Sequence, residues 1–251
     1  MTGWLAAGLY GLLSASGLLA GAVAGLWLQM RHRVIAAVTA VGVGLLIAAA
    51  SLYLISAALM AVSAMMAVSG ALAGAAAFSL LNLVLTRWAA ETRKRCGECV
   101  RQPSESAMPG SGLAIAAGSL LDAVPEALII GAAAGSTKAL PPIALIGAFA
   151  LANFAEGLSS SAGMRDAGRS RRYVLLLWIG ATVVSVAAAV LGFALFSGGH
   201  VENGWLEAFA AGALIALVVE TMAPEAVHGH PGFVGLLAML GFSALLLALV
   251  E

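Results

Sequence analysis

From Val34 to Thr86 the chain carries no Asp, Glu, Lys, Arg or His. A helix crosses the hydrocarbon core of a bilayer in roughly 20 residues, so this run is long enough to cross twice. Within it, SAALMAVSAMMAVS places the turn between two spans without a charge to mark it. Similar apolar runs divide the rest of the chain. The composition agrees: 251 residues, 62% hydrophobic and 10% charged, with a mean hydropathy of +1.03, far from that of soluble domains.

The expected fold is all-α, a polytopic membrane protein with one domain over residues 1–251. Eight transmembrane helices are placed at about 4–28, 34–56, 64–86, 112–134, 142–163, 174–197, 205–225 and 232–250, with a loop at 88–111. The first span lacks a basic start and an A-x-A-like exit, so it reads as a retained helix and not a signal peptide. Basic residues mark cytoplasmic loops. Alternate loops collect Arg31 and Arg33; Arg87, Arg93, Lys94, Arg95 and Arg101; and Arg165, Arg169, Arg171 and Arg172. That is eleven of the twelve Lys and Arg, leaving Lys138 on the other side. Both termini are therefore expected outside the cytoplasm.

The acids are distributed differently. Asp122, Glu126, Glu156 and Glu220 fall inside spans, and Glu225 lies near a cytoplasmic end. A carboxylate at a helix centre costs about 2.5 to 3.5 kcal/mol on insertion scales. Two remedies exist: protonation, favoured by desolvation and mutual repulsion, or a bound cation. In LLDAVPEALIIG, Asp122 and Glu126 are four apart and share a helix face. Pro125 between them has no N–H and obstructs the bond to the Leu121 carbonyl, which needs another partner in a bilayer. In LANFAEGLSSS of the next span, Asn153, Glu156 and Ser160 follow the i, i+3, i+7 stripe of one face. Oxygen ligands thus converge at mid-membrane from two neighbouring helices. The plain alternative is that these acids are protonated residues that hydrogen-bond helices together.

DAVPEALIIG and NFAEGLSSSAGMR resemble the paired metal-binding motifs of the ZIP (Zrt/Irt-like) divalent metal transporters. In that family the fourth helix carries His-Asn-x-Pro-Glu-Gly and the fifth His-x-x-x-Glu-Gly. AFAAGALIALVVETMAPEA is similar to the family's seventh helix, and the eight spans, the long loop after the third and the outside termini match its plan. The resemblance is to a divergent prokaryotic-type member. It implies a bacterial inner (plasma) membrane and uptake of a zinc-, iron- or manganese-class ion by alternating access. The metal set carried over is Asp122, Glu126 and Glu156, with Asn153 and Ser160 beside them and Glu220 on the exit path. Departures stand at Asp122, where the family has His; at Ala123, usually Asn; and at Ala152, usually His or Gln. Ser185 and the Ser56–Ala58 segment replace a sixth-helix Glu and a second-helix Pro-Glu-Ala, so a second metal site looks eroded. Exchange of imidazole for carboxylate favours harder ions such as Mn²⁺, Fe²⁺ or Mg²⁺ over Zn²⁺, although zinc accepts carboxylates too.

GLLIA at 44–48 and GALIA at 212–216 open the second and seventh spans alike, as expected of an inverted-repeat bundle around two central helices. CGEC, with Cys96 and Cys99, supplies half of a tetrahedral site and reads either as a metal-handover loop or as a linker with two free thiols. His228 and His230 read either as receivers of released metal or as solvated surface. No nucleophile and base pair and no Gly-rich phosphate loop occur in the membrane region, so an enzyme is not expected and no catalytic residue is assigned. No cofactor is expected; the metal is cargo. The partners expected are a divalent metal cation and the lipid bilayer, with no nucleic acid and a homodimer left open. The competing reading is a degenerate family member acting as a membrane metal sensor or scaffold.

Overall fold

A computed structural model describes residues 3–88, 111–135, 143–196, 203–229 and 233–250. Among them no strand occurs, and eight helices follow one another: α1 Gly3–Trp27, α2 His32–Ala61, α3 Ala64–Trp88, α4 Ser111–Gly135, α5 Ile143–Asp166, α6 Arg171–Phe196, α7 over 203–229 and α8 Val234–Val250. The first seven are long and apolar enough to cross a membrane, and α8 is a shorter apolar helix of 17 residues. The expected spans agree with these to within a few residues. Large side chains such as Leu72, Leu80, Leu176, Val183, Leu236 and Leu247 point outward. In water such a surface would aggregate; in a bilayer it is the solvent-matched face.

Local sequence explains where the helices stop. The uncharged turn between α2 and α3 falls at Val62 and Ser63, where Ser63 caps α3 by accepting a hydrogen bond from the Met66 N–H at 3.3 Å. α5 ends at Gly168, whose φ of 80° is left-handed, and the N–H groups of Gly168 and Arg169 close back on the carbonyls of Arg165 and Met164. Arg165 then donates to the Gly25 and Leu28 carbonyls at 2.8 and 3.2 Å, closing the end of α1, and the Arg171 guanidinium lies 5.1 Å from the Trp27 ring centre. The basic residues at this end of the bundle are thus also its fasteners.

Glycines decide which spans touch. A Cβ on Gly17, Gly21 or Gly25 of α1 would collide with backbone carbonyls of α5, and one on Gly157 with the Leu18 carbonyl of α1. The same reciprocal close approach joins α4 to α6 through Gly131 and Gly192, α3 to α7 through Gly74 and Gly212, and α2 to α8 through Gly44 and Gly241. With no hydrophobic drive between helices in lipid, this backbone contact supplies the packing. The largest core cluster lies among α2, α4, α5 and α7, with Leu46, Leu54, Ile130, Phe149, Leu214 and Leu217 fully buried.

Two spans are not regular α-helix. Ala49–Ile55 in α2 and Val218–Met222 in α7 are π-helical. Their hydroxyls turn back on the local backbone: Ser51 donates to the Ile47 carbonyl at 2.6 Å and Thr221 to the Leu217 carbonyl at 2.7 Å. Where the ladder widens, a carbonyl in lipid still requires a donor, and these side chains supply it.

Candidate metal centre

Glu126 sits between two core clusters on α4. One turn before it, Ala123 packs with Leu18, Trp178 and Val174; one turn after it, Ile129 and Ile130 join the central cluster. The helix runs through Pro125 without interruption. Glu126 itself is only 3% exposed. A carboxylate so placed is held away from lipid and water alike.

α5 delivers the partners. Asn153 is buried and donates from Nδ2 to Glu126 Oε2 at 3.2 Å, with longer contacts of 3.4 and 3.5 Å to the carbonyl and hydroxyl of Ser14 on α1. The amide therefore ties three helices at one depth. Donation to a carboxylate uses the amide nitrogen, so Asn153 orients Glu126, and any ligand role would fall to its Oδ1. Glu156, one turn further on α5 and partly buried, acts on Glu126 with its like charge. Ser160 follows on the same stripe and is fully buried.

The other predicted acids lie elsewhere. Glu220, in the π-helical turn of α7, accepts hydrogen bonds from Ser79 and Asn82 of α3 on an exposed face of the bundle. Glu225, one turn on, accepts from Ser159, which neighbours Ser160 on α5. His228 places its Nδ1 3.0 Å from the Pro224 carbonyl and is exposed. The Asp122 side chain, Cys96, Cys99, Lys138 and His230 lie outside the described residues, as does most of the 88–111 loop. Among the described residues no group of three His, Cys, Asp or Glu side chains is close enough to hold a metal ion.

Ser14, Ser79, Asn82 and Ser159 escape a reading of sequence alone. Ser14, Ser79 and Asn82 stand in helices rich in Gly, Ala and Leu, and Ser159 lies beside the Asn153–Ser160 stripe in a run of three serines; in such helices serine also serves simply as a small packing residue. Asn82 has the one usable signal, an amide in the outward run LLNLVL. No protein-family model matches this chain, and no curated protein matches it.

Proposed function

We propose that this chain is a divergent ZIP-type transporter that carries a divalent metal cation across the membrane towards the cytoplasm. The observation that carries the reading is Glu126: buried, beside a second carboxylate, and held by an amide donor. One hydrogen bond to a charged group is worth about 1.5 to 3 kcal/mol, which offsets at most one insertion penalty of about 2.5 to 3.5 kcal/mol. Two neighbouring carboxylates need more, and a divalent cation supplies the missing charge. Asp122, on the same face of α4, is the third ligand in this reading.

The glycine contacts support an inverted-repeat architecture. Exchanging α1 with α6, α2 with α7, α3 with α8 and α4 with α5 maps the α1–α5 pair onto α6–α4 and the α2–α8 pair onto α7–α3. Gly25 and Gly192, Gly44 and Gly212, and Gly74 and Gly241 stand at one sequence offset to within a single position, and each π-helical turn follows its glycine within two helical turns. Inverted repeats around a midplane site are a common transporter design, with rocking of one unit against another.

Replacing Glu126 and Glu156 together with Ala should abolish metal uptake into proteoliposomes; undiminished uptake sinks the proposal. One other reading stands beside it, a degenerate family member acting as a membrane metal sensor or scaffold without transport. Measuring Zn²⁺, Mn²⁺ and Cd²⁺ bound to the purified protein excludes a protonated scaffold, which binds none at mid-membrane, and uptake then separates a transporter from a sensor.

A further inference from the structure

One end of the bundle gathers more positive charge than the fold itself uses. Residues 25–34 and 163–174 hold Arg31, Arg33, Arg165, Arg169, Arg171 and Arg172, and a single acid, Asp166. Two of these arginines belong to the internal structure. Arg165 donates to the carbonyls that end α1 and to Asp166 at 3.0 Å, and Arg169 is only 8% exposed. Arg31, Arg33, Arg171 and Arg172 are exposed. On α7, Glu225 accepts from Ser159, six residues before Arg165, and so sits about 9 Å deeper along α5.

The tertiary structure brings the exposed four to one edge. α1 ends at Trp27 and α2 begins at His32, so Arg31 and Arg33 flank the short link Leu28–Arg31. The Leu28 carbonyl accepts from Arg165 at 3.2 Å, and the Arg171 guanidinium stands 5.1 Å from the Trp27 ring centre. The α1–α2 link and the first turn of α6 are therefore neighbours. Ser170 caps α6, accepting from the Tyr173 N–H at 3.3 Å, and this cap holds Arg171 and Arg172 in that turn. Apolar surface adjoins the charge: Trp27, Leu28 and Val34 are each about half exposed. Val23, one turn before Trp27, and Leu176, one turn after Arg172, continue it along α1 and α6. Tryptophan and arginine at the rim of an apolar helix of membrane length mark the level of lipid headgroups.

We infer that this edge, between the α1–α2 link and the first turn of α6, binds the headgroup of an anionic phospholipid. The site is separate from the central acids and stands whether or not the chain carries metal. A guanidinium suits a phosphodiester because its charge is permanent and its planar fork makes two parallel N–H···O bonds. Each basic group near an anionic membrane surface strengthens binding roughly fivefold. The apolar surround selects a lipid over a soluble anion, since acyl chains continue along Val23 and Leu176 where free phosphate has nothing to touch.

The test offers phosphatidylglycerol and phosphatidylcholine with the same acyl chains, in turn, to the full-length protein purified in a neutral detergent. Native mass spectrometry reads the lipid retained. The wild type should hold phosphatidylglycerol in preference, and Arg31→Gln, Arg33→Gln, Arg171→Gln and Arg172→Gln together should abolish the preference. Should the fourfold variant not fold, Arg31→Gln or Arg171→Gln alone should weaken retention roughly fivefold. Arg93→Gln, Lys94→Gln, Arg95→Gln and Arg101→Gln together remove as much charge from the 88–111 loop and should leave the preference intact. Phosphatidylglycerol should also raise the thermal unfolding midpoint of the wild type by more than phosphatidylcholine does. Equal retention of the two lipids, an equal loss in the loop variant, or displacement of the lipid by soluble glycerol phosphate overturns the site.

Discussion

At the scale of single residues the protein turns on how a buried carboxylate is kept. Glu126 is buried by α4 packing and oriented by one amide, Asn153, which is itself steadied by Ser14. Removing that support should weaken metal binding while leaving the ligand in place. Asn153→Ala is expected to lower Mn²⁺ or Cd²⁺ affinity roughly ten- to a hundredfold, the usual effect of losing a group that orients a ligand; Ser14→Ala, whose contacts are longer, should cost less. Titration calorimetry checks both, and equal effects would show that the amide does not orient Glu126. Glu126→Gln keeps the shape and the Asn153 contact, so uptake should fall to background while the thermal unfolding midpoint stays within a few degrees.

At the scale of elements the decisive feature is backbone contact at glycine. Gly21 faces the Phe154 carbonyl with no room for a Cβ, whereas Gly180 on α6 is exposed and has nothing within 4 Å. The same substitution should therefore have opposite signs. Gly21→Ala forces α1 from α5 and is expected to destabilise by about 1 to 3 kcal/mol, as overpacking does. Gly180→Ala should stabilise by about 0.5 to 1 kcal/mol through helix propensity. Thermal unfolding in detergent distinguishes them, and a shared sign would refute the packing account. The π-helical turns belong to the same scale: the one in α7 bears Glu220 of the proposed exit path, consistent with the frequent placement of π-bulges at functional sites.

At the scale of the whole molecule the basic residues orient the bundle. If they face the cytoplasm, a membrane-impermeant maleimide applied to intact cells should leave Cys96 and Cys99 unlabelled, and permeabilisation should expose them. A cysteine introduced at Lys138 should behave in the opposite way. Labelling of the native pair from outside would invert the topology and the assigned direction of transport.

The helices, to within a few residues, and the stripe that carries Asn153 and Glu156 were legible from sequence, because hydrophobic length and 3.6-residue periodicity are properties of one segment at a time. Which span lies on which was not. In a chain this rich in Gly, Ala and Leu, the faces towards lipid and towards protein are equally apolar, so no amphipathic signal reports the neighbour. Only the tertiary structure decided that Asn153 donates to Glu126 from across a helix interface and that Glu220 belongs with Ser79 and Asn82 of α3. The sequence by itself determined that the chain is built of apolar helices of membrane length with acids inside them; the close approach of glycine backbones determined which helices meet, and so that Glu126 and Asn153 face each other.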